Sequence, residues 1–189
     1  MFRQLMTGLV LASLAATAHA ALNLDQLMAG LAQHKGGRAK FVEKRTLAVL
    51  DRPLVATGEM TYTPPDRLEK RTLTPKPETL LLDKDRVSIE RDKRTYSISL
   101  ASRPEALAFV DSIRSTLAGN RAALEKNYTL QLSGSSENWV LTLSPTAQQI
   151  AALLQRITVS GSKDQIHTID YLLADGDRSE LTIEPLEPR

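Results

Sequence analysis

The chain has 189 residues, 24 Lys+Arg against 22 Asp+Glu, no cysteine and 4% aromatic residues. The lack of cysteine excludes disulfide staples, thiolate metal sites and an anchor on an acylated cysteine, so an apolar core must hold the fold. Few aromatics are available to stack bases, which argues against a nucleic-acid partner.

In chain order, Met1 and Arg3 open a short positive region, Leu5 to Ala18 carries no charge, and Ala18-His19-Ala20 has the A-x-A form of a cleavage site. The apolar core is too short for a membrane span, so residues 1–20 are expected to be a cleaved Sec signal peptide and Ala21 the mature start. A retained anchor and a buried helix are the alternatives. The remaining residues 21–189 are the length of one ordinary domain. Charge is uneven along it. Lys35 to Arg94 holds 15 basic and 10 acidic residues, whereas Thr95 to Arg189 holds 8 basic and 11 acidic. The basic half suits solvated strand faces, or else an anionic headgroup or acidic partner.

Leu24, Leu27, Met28 and Leu31 recur at helical spacing, with Asn23 and Gln26 placed as a capping box and Gly36-Gly37 as the stop. The period then changes to two. Strands are expected over Lys40–Leu50, Thr57–Thr63, Arg67–Leu73, Thr79–Leu82, Arg86–Glu90 and Thr95–Leu100. The first of these is expected to set Phe41, Leu47 and Val49 on one face. A second helix follows Pro104, with Ser102 as its cap, Leu107, Val110, Ile113 and Leu117 as its stripe and Gly119-Asn120 as its end. Strands over Tyr128–Leu132 and Trp139–Leu143 come next. Ser144-Pro145 signals a third, short helix carrying Ala147, Ile150, Ala151 and Leu154 on one side. The tail reads as strands near Arg156–Ser160, Gln165–Leu173 and Glu180–Glu184, turning at Asp175-Gly176-Asp177. Hairpins without crossover helices predict a mainly β fold: one large curled antiparallel sheet of about eight to ten strands, an incomplete barrel, with three helices covering its concave side.

Chemistry is sparse. The two histidines of the mature chain, His34 and His167, fall in different elements and lack partners at metal-ligand spacing. No nucleophile elbow, zincin motif or phosphate loop occurs. Asp175, Asp177 and Glu180 fit a plain turn better than a calcium loop. No enzyme activity, metal or cofactor is expected.

The central block has a distinctive order. Phe41-Val42-Glu43 leads to Leu54-Val55-Ala56-Thr57-Gly58-Glu59-Met60-Thr61-Tyr62. Pro64-Pro65-Asp66-Arg67-Leu68, Thr74-Pro75 and Leu80-Leu81-Leu82-Asp83-Lys84-Asp85-Arg86-Val87 follow. This resembles the LolA family of periplasmic lipoprotein carriers, as a divergent paralogue, over most of the mature chain. The resemblance implies an incomplete barrel closed by helices around an apolar cavity for acyl chains. It implies a soluble, monomeric periplasmic carrier that takes an acylated lipoprotein or lipid from an inner-membrane transporter to an outer-membrane acceptor. Two departures stand out. The arginine that ties the helical lid shut in well-studied carriers is Pro64 here, and a Trp position on the following strand is Lys70. The cargo is therefore left open between a lipoprotein and a glycolipid or other acylated product. A sensor or adaptor acting on an envelope partner is the alternative.

Candidate cavity and lid residues are Met60, Tyr62, Leu68, Lys70, Val87, Ile89, Tyr96, Ile98, Leu107, Val110, Ile113, Leu117 and Trp139. Ordinary core is the competing reading for most of them. Lys70 is expected either to lie along the cavity wall with its head in water or to meet a ligand phosphate or carboxylate. A one-residue slip of its strand would instead turn Glu69, Arg71 and Leu73 inward.

Overall fold

The computed structural model describes residues 22–102 and 104–186, so the cleavage site at Ala18-His19-Ala20 lies outside the described residues. The elements run α1 (Leu24–Ala32), β1 (Gly37–Thr46), β2 (Leu54–Thr63), β3 (Arg67–Thr74), β4 (Glu78–Asp83), β5 (Arg86–Arg91) and β6 (Arg94–Ser99). A 3-10 turn (Leu100–Ser102), α2 (Pro104–Leu117), α3 (Arg121–Leu124), β7 (Tyr128–Ser135), β8 (Asn138–Pro145), α4 (Gln148–Ala151), β9 (Leu154–Ser162), β10 (Gln165–Leu173) and β11 (Arg178–Pro185) follow.

All eleven strands form one sheet in the order β6-β5-β4-β3-β2-β1-β11-β10-β9-β8-β7. Two antiparallel meanders are thus joined where the first strand meets the last, with Phe41 opposite Ile183 and Glu43 opposite Leu181. The sheet is mainly β with its edges left open at β6 and β7, which makes it an incomplete barrel. Every segment read as a strand from the sequence holds one, although β1 stops at Thr46, short of Leu50, and Leu100 opens the 3-10 turn after β6. The eleven strands correspond one to one with the segments read from the sequence, against a sheet expected to hold about eight to ten.

Period two decides which residues face inward. In β1 to β3 the inward set is Ala39, Phe41 and Glu43, then Gly58, Met60 and Tyr62, then Leu68, Lys70 and Thr72; the ladders pair Met60 with Ala39 and Lys70, and Tyr62 with Leu68. The strand has therefore not slipped: Leu68 is buried, and Leu73 is 47% exposed. The main core packs α1 residues Leu27, Met28 and Leu31 against Phe41, Trp139, Leu141, Leu143, Ile157 and Val159. A smaller cluster, Leu68, Leu82 and Leu100, packs against Leu107, Val110, Ile113 and Leu117 of α2.

The helix ends follow their capping chemistry. Asn23 accepts from the Gln26 amide at 2.8 Å and Gln26 returns the bond at 3.1 Å, which is a capping box. α2 stops in a Schellman arrangement: Asn120 N–H reaches the Ser115 carbonyl at 2.7 Å and Gly119 N–H the Thr116 carbonyl at 3.1 Å. Gly119 has φ +61°, and a Cβ there would meet the Met28 carbonyl at 2.0 Å, so glycine both turns the chain and lets α2 approach α1.

Among the described residues four α-helices are present where three were expected. Asn120, read as a stop, also caps α3 by accepting from Ala123 N–H at 3.1 Å. Pro145 belongs to β8, so the next helix starts three residues later and Leu154 opens β9. β1 ends at Thr46, and Val49 is 87% exposed in the turn beyond it, not inward with Phe41. Ser102 donates its hydroxyl to the Ser99 carbonyl. Asp175 and Asp177 serve the hairpin turn: Asp175 accepts from Asp177 N–H, and Asp177 accepts from Ala48 N–H at 2.8 Å.

Candidate functional site

Where β1, β2, β3, β10 and β11 curl past the C-terminal half of α2, their inward side chains do not meet the helix completely. An apolar cavity of about 120 Å³ remains. Met60, Tyr62 and Leu68 form one wall, Ile166, Ile169 and Ile183 the other, and Ile113, Leu117 and Leu31 the roof. The exposed rim is made by His34, Gly37, Arg38, Asp164, Gln165 and Pro185, so the cavity has a mouth at one end of the strands. A void of about 10 Å³ continues beneath α2, between Ser112, Thr116, Ile157 and Tyr171. A dry apolar cavity of roughly 150 Å³ holds one benzene-sized molecule. An acyl chain therefore needs α2 to lift.

The underside of α2 suits such movement. Beside Ile113 and Leu117 it buries Ser112, Ser115 and Thr116. Small polar groups add little apolar area to the interface, and separating them from the sheet costs less than separating leucines. A tie holds α2 to the sheet: Arg114 donates to the Lys84 carbonyl at 2.7 Å and pairs with Asp111.

Away from the mouth the inward surface turns polar. Glu43 pairs with Lys70 and accepts from the Ser179 hydroxyl at 2.9 Å; Arg45 approaches it at 3.3 Å. Lys70 Nζ stands 4.9 Å above the Phe41 ring. Gly58 makes this reach possible. Its missing side chain leaves room for Phe41, and a Cβ there would lie 2.0 Å from the Arg71 carbonyl oxygen. Burial alone would raise the Glu43 carboxyl, but the bond and charge of Lys70, the Ser179 hydroxyl and Arg45 outweigh it and hold the group below its ordinary value. Tyr171, on the far side, is pushed upward by burial and by the charges of Glu43 and Tyr128, so its phenol stays neutral. Burial also raises Tyr128, against its hydrogen bond to Ser112 of α2.

Because the folded pKa of Glu43 is depressed, its contribution to stability is complete above the unfolded value and is lost as pH falls through the folded one. Glu43→Gln is expected to cost about 2 kcal/mol at pH 7. It should also reduce the acid-induced part of the loss below about pH 4.5. Thermal melts of both proteins from pH 7 to pH 3 check this. Parallel melting curves over that range would remove Glu43 from the acid response.

Of the thirteen candidate residues, five line the cavity: Met60, Tyr62, Leu68, Ile113 and Leu117. Val87, Leu107 and Val110 pack in the smaller cluster instead. Ile89 and Tyr96 lie in a separate open groove near the sheet edge with Arg91, Asp92 and Arg94. Tyr96 and Ile98 are 57% and 49% exposed, on the edge strand of the sheet. Lys70 faces inward but does not line the cavity, and Glu43 already takes its charge. Trp139 is fully buried and donates to the Lys163 carbonyl at 2.9 Å, which makes it core and not cavity wall. Sequence reasoning missed Leu31, Ile166, Ile169 and Ile183. The alternation of β10 and β11 carried the signal for the last three, but nothing in it shows that the last strands return beside the first.

Among the described residues no cluster of three or more His, Asp or Glu is placed to hold a metal ion. His167 shares a 2.8 Å hydrogen bond with Ser162, and His34 sits on the cavity rim. No helix among the described residues is long and apolar enough to cross a membrane.

No curated protein matches the sequence. Among solved structures, a LolA superfamily protein from Nitrosomonas europaea aligns at 9% identity and TM-score 0.44, over 88% of this chain and 93% of the other. MucB of Pseudomonas aeruginosa, solved with MucA, aligns at 16% identity and TM-score 0.45, over 87% of this chain and 57% of the other. A putative outer membrane lipoprotein-sorting protein domain from Vibrio parahaemolyticus aligns at 12% identity and TM-score 0.45, over 85% and 88%. Residues 15–183 match the family described as outer membrane lipoprotein carrier protein LolA-like, and the chain is a member of that family.

Proposed function

We propose that the protein is a periplasmic carrier that binds the acyl chains of a lipoprotein or other acylated lipid between the inner face of its half-barrel and α2. The reading rests on one observation: an apolar cavity with a defined mouth lies under a helix whose buried face is partly hydroxylic. Such a cavity takes apolar ligands by excluding water and needs no catalytic group. The carrier shields the chains between an inner-membrane donor and an outer-membrane acceptor, and the cleaved signal at residues 1–20 supplies its export. Mass spectrometry of an organic extract from protein purified out of the cell envelope tests this, and an acylated molecule is the expected finding.

A further inference from the structure

We propose that the Lys70–Glu43 pair, with Ser179 and Tyr171 beside it, is a stop that sets how far an acyl chain enters the cavity; this rests on the acyl-carrier reading above. The geometry repeats across neighbouring strands. In β1 the inward residues run Ala39 at the cavity, then Phe41, then Glu43; in β3 they run Leu68 at the cavity, then Lys70. In β11 they run Ile183 at the cavity, then Leu181, then Ser179, and in β10 Ile169 at the cavity, then Tyr171. The change from apolar to polar steps diagonally across the sheet: Lys70 is level with Met60 and Ala39, Glu43 with Leu181 and Ile169, and Ser179 and Tyr171 lie one pair further on. Glu43 accepts from both Lys70 and Ser179, which joins β3, β1 and β11 along that line. Lys70 reaches over the Phe41 ring to Glu43 and bars the inward surface along that diagonal.

Lifting α2 widens the cavity but leaves this bar in place, because every member of it sits on the sheet. A chain end pressed against the pair gains nothing from further methylenes, since passing it would strip water and partners from two charges. Sideways from Lys70, on the far side of the diagonal, the same ladder runs through Leu80, Ile89 and Tyr96, an apolar row that would extend the site if the bar were absent. From Gly37 at the mouth to Phe41 is four residues, about 14 Å of strand, the extended length of roughly a dozen carbons. Binding should therefore strengthen with chain length up to about that number and then level off.

The test is a competition series of saturated fatty acids from eight to eighteen carbons against a fluorescent acyl probe. Each added methylene should tighten wild-type binding about fourfold until the plateau. Glu43→Leu with Lys70→Met removes both charges together, which avoids leaving either one orphaned. In that variant the rise should continue by at least four further carbons. Lys70→Arg keeps the pair and should keep the wild-type plateau. A second measurement needs no variant: an eighteen-carbon acid with a photoreactive terminal carbon should label wild type at Phe41 or at the cavity residues of β1, β2, β10 and β11, not at Ile89 or Tyr96. The same plateau in wild type and the double variant, or labelling of Ile89 and Tyr96 in wild type, overturns the stop and leaves the carrier reading standing. Failure of wild type to bind any member of the series overturns both.

Discussion

Leu117→Glu should weaken acyl binding by about a hundredfold or more, because a carboxylate without a partner in an apolar site costs several kcal/mol and each 1.4 kcal/mol is tenfold. Leu117 is the residue of α2 that touches both apolar clusters and also roofs the cavity. The charged side chain either occupies the site dry or pulls the helix off the sheet, and in both cases the dry volume is lost. Displacement of a fluorescent fatty acid reads the affinity, and circular dichroism with thermal melting shows whether the sheet survives. Leu117→Ala serves as the size control. It enlarges the cavity without adding charge, so it should destabilise the fold yet retain binding. A folded Leu117→Glu protein with wild-type affinity would place the ligand somewhere other than beneath α2.

Trp139→Ala should cost about 3–5 kcal/mol of stability, which for a domain of this size lowers the melting temperature by about 10 °C. The indole is fully buried in the main core and lies over Gly161, where a Cβ would come within 2.5 Å of the ring. Its N–H is satisfied by the Lys163 carbonyl, so truncation loses both packing and a hydrogen bond. The cavity is lined by other residues. Melting and probe titration should therefore separate: at a temperature where the variant remains folded, acyl affinity should stay within a fewfold of wild type. Loss of binding with little loss of stability would return Trp139 to the ligand wall.

These two residues mark what the sequence could disclose. Local patterns were legible because they depend on near neighbours: the Asn23–Gln26 capping box, the Asp175-Gly176-Asp177 hairpin and the period-two strands all appear where their residues place them. Inward facing was legible in the same way, which is why Met60, Tyr62 and Leu68 share a wall. Closure was not. The pairing of β1 with β11 brings Ile183 beside Phe41 across more than a hundred residues, and no alternation within either strand encodes that meeting. The partner of Lys70 was hidden for the same reason. Glu43 was in view as part of a motif, but only the empty side of Gly58 lets the two charges touch across an intervening strand. Trp139 and Leu68 are both inward residues of alternating strands, and the alternation alone does not say that one is core and the other cavity wall.

The carrier function is tested most directly by what the protein holds in the cell envelope. Protein purified from the envelope without detergent should yield, on extraction into organic solvent, an acylated molecule near one equivalent per chain. Stripped protein should take up a fluorescent fatty acid at a single saturable site, and the extracted molecule should displace it. An extract free of acylated material, together with stripped protein that takes up no acyl probe, would contradict the carrier function and leave the cavity as a packing defect beneath α2.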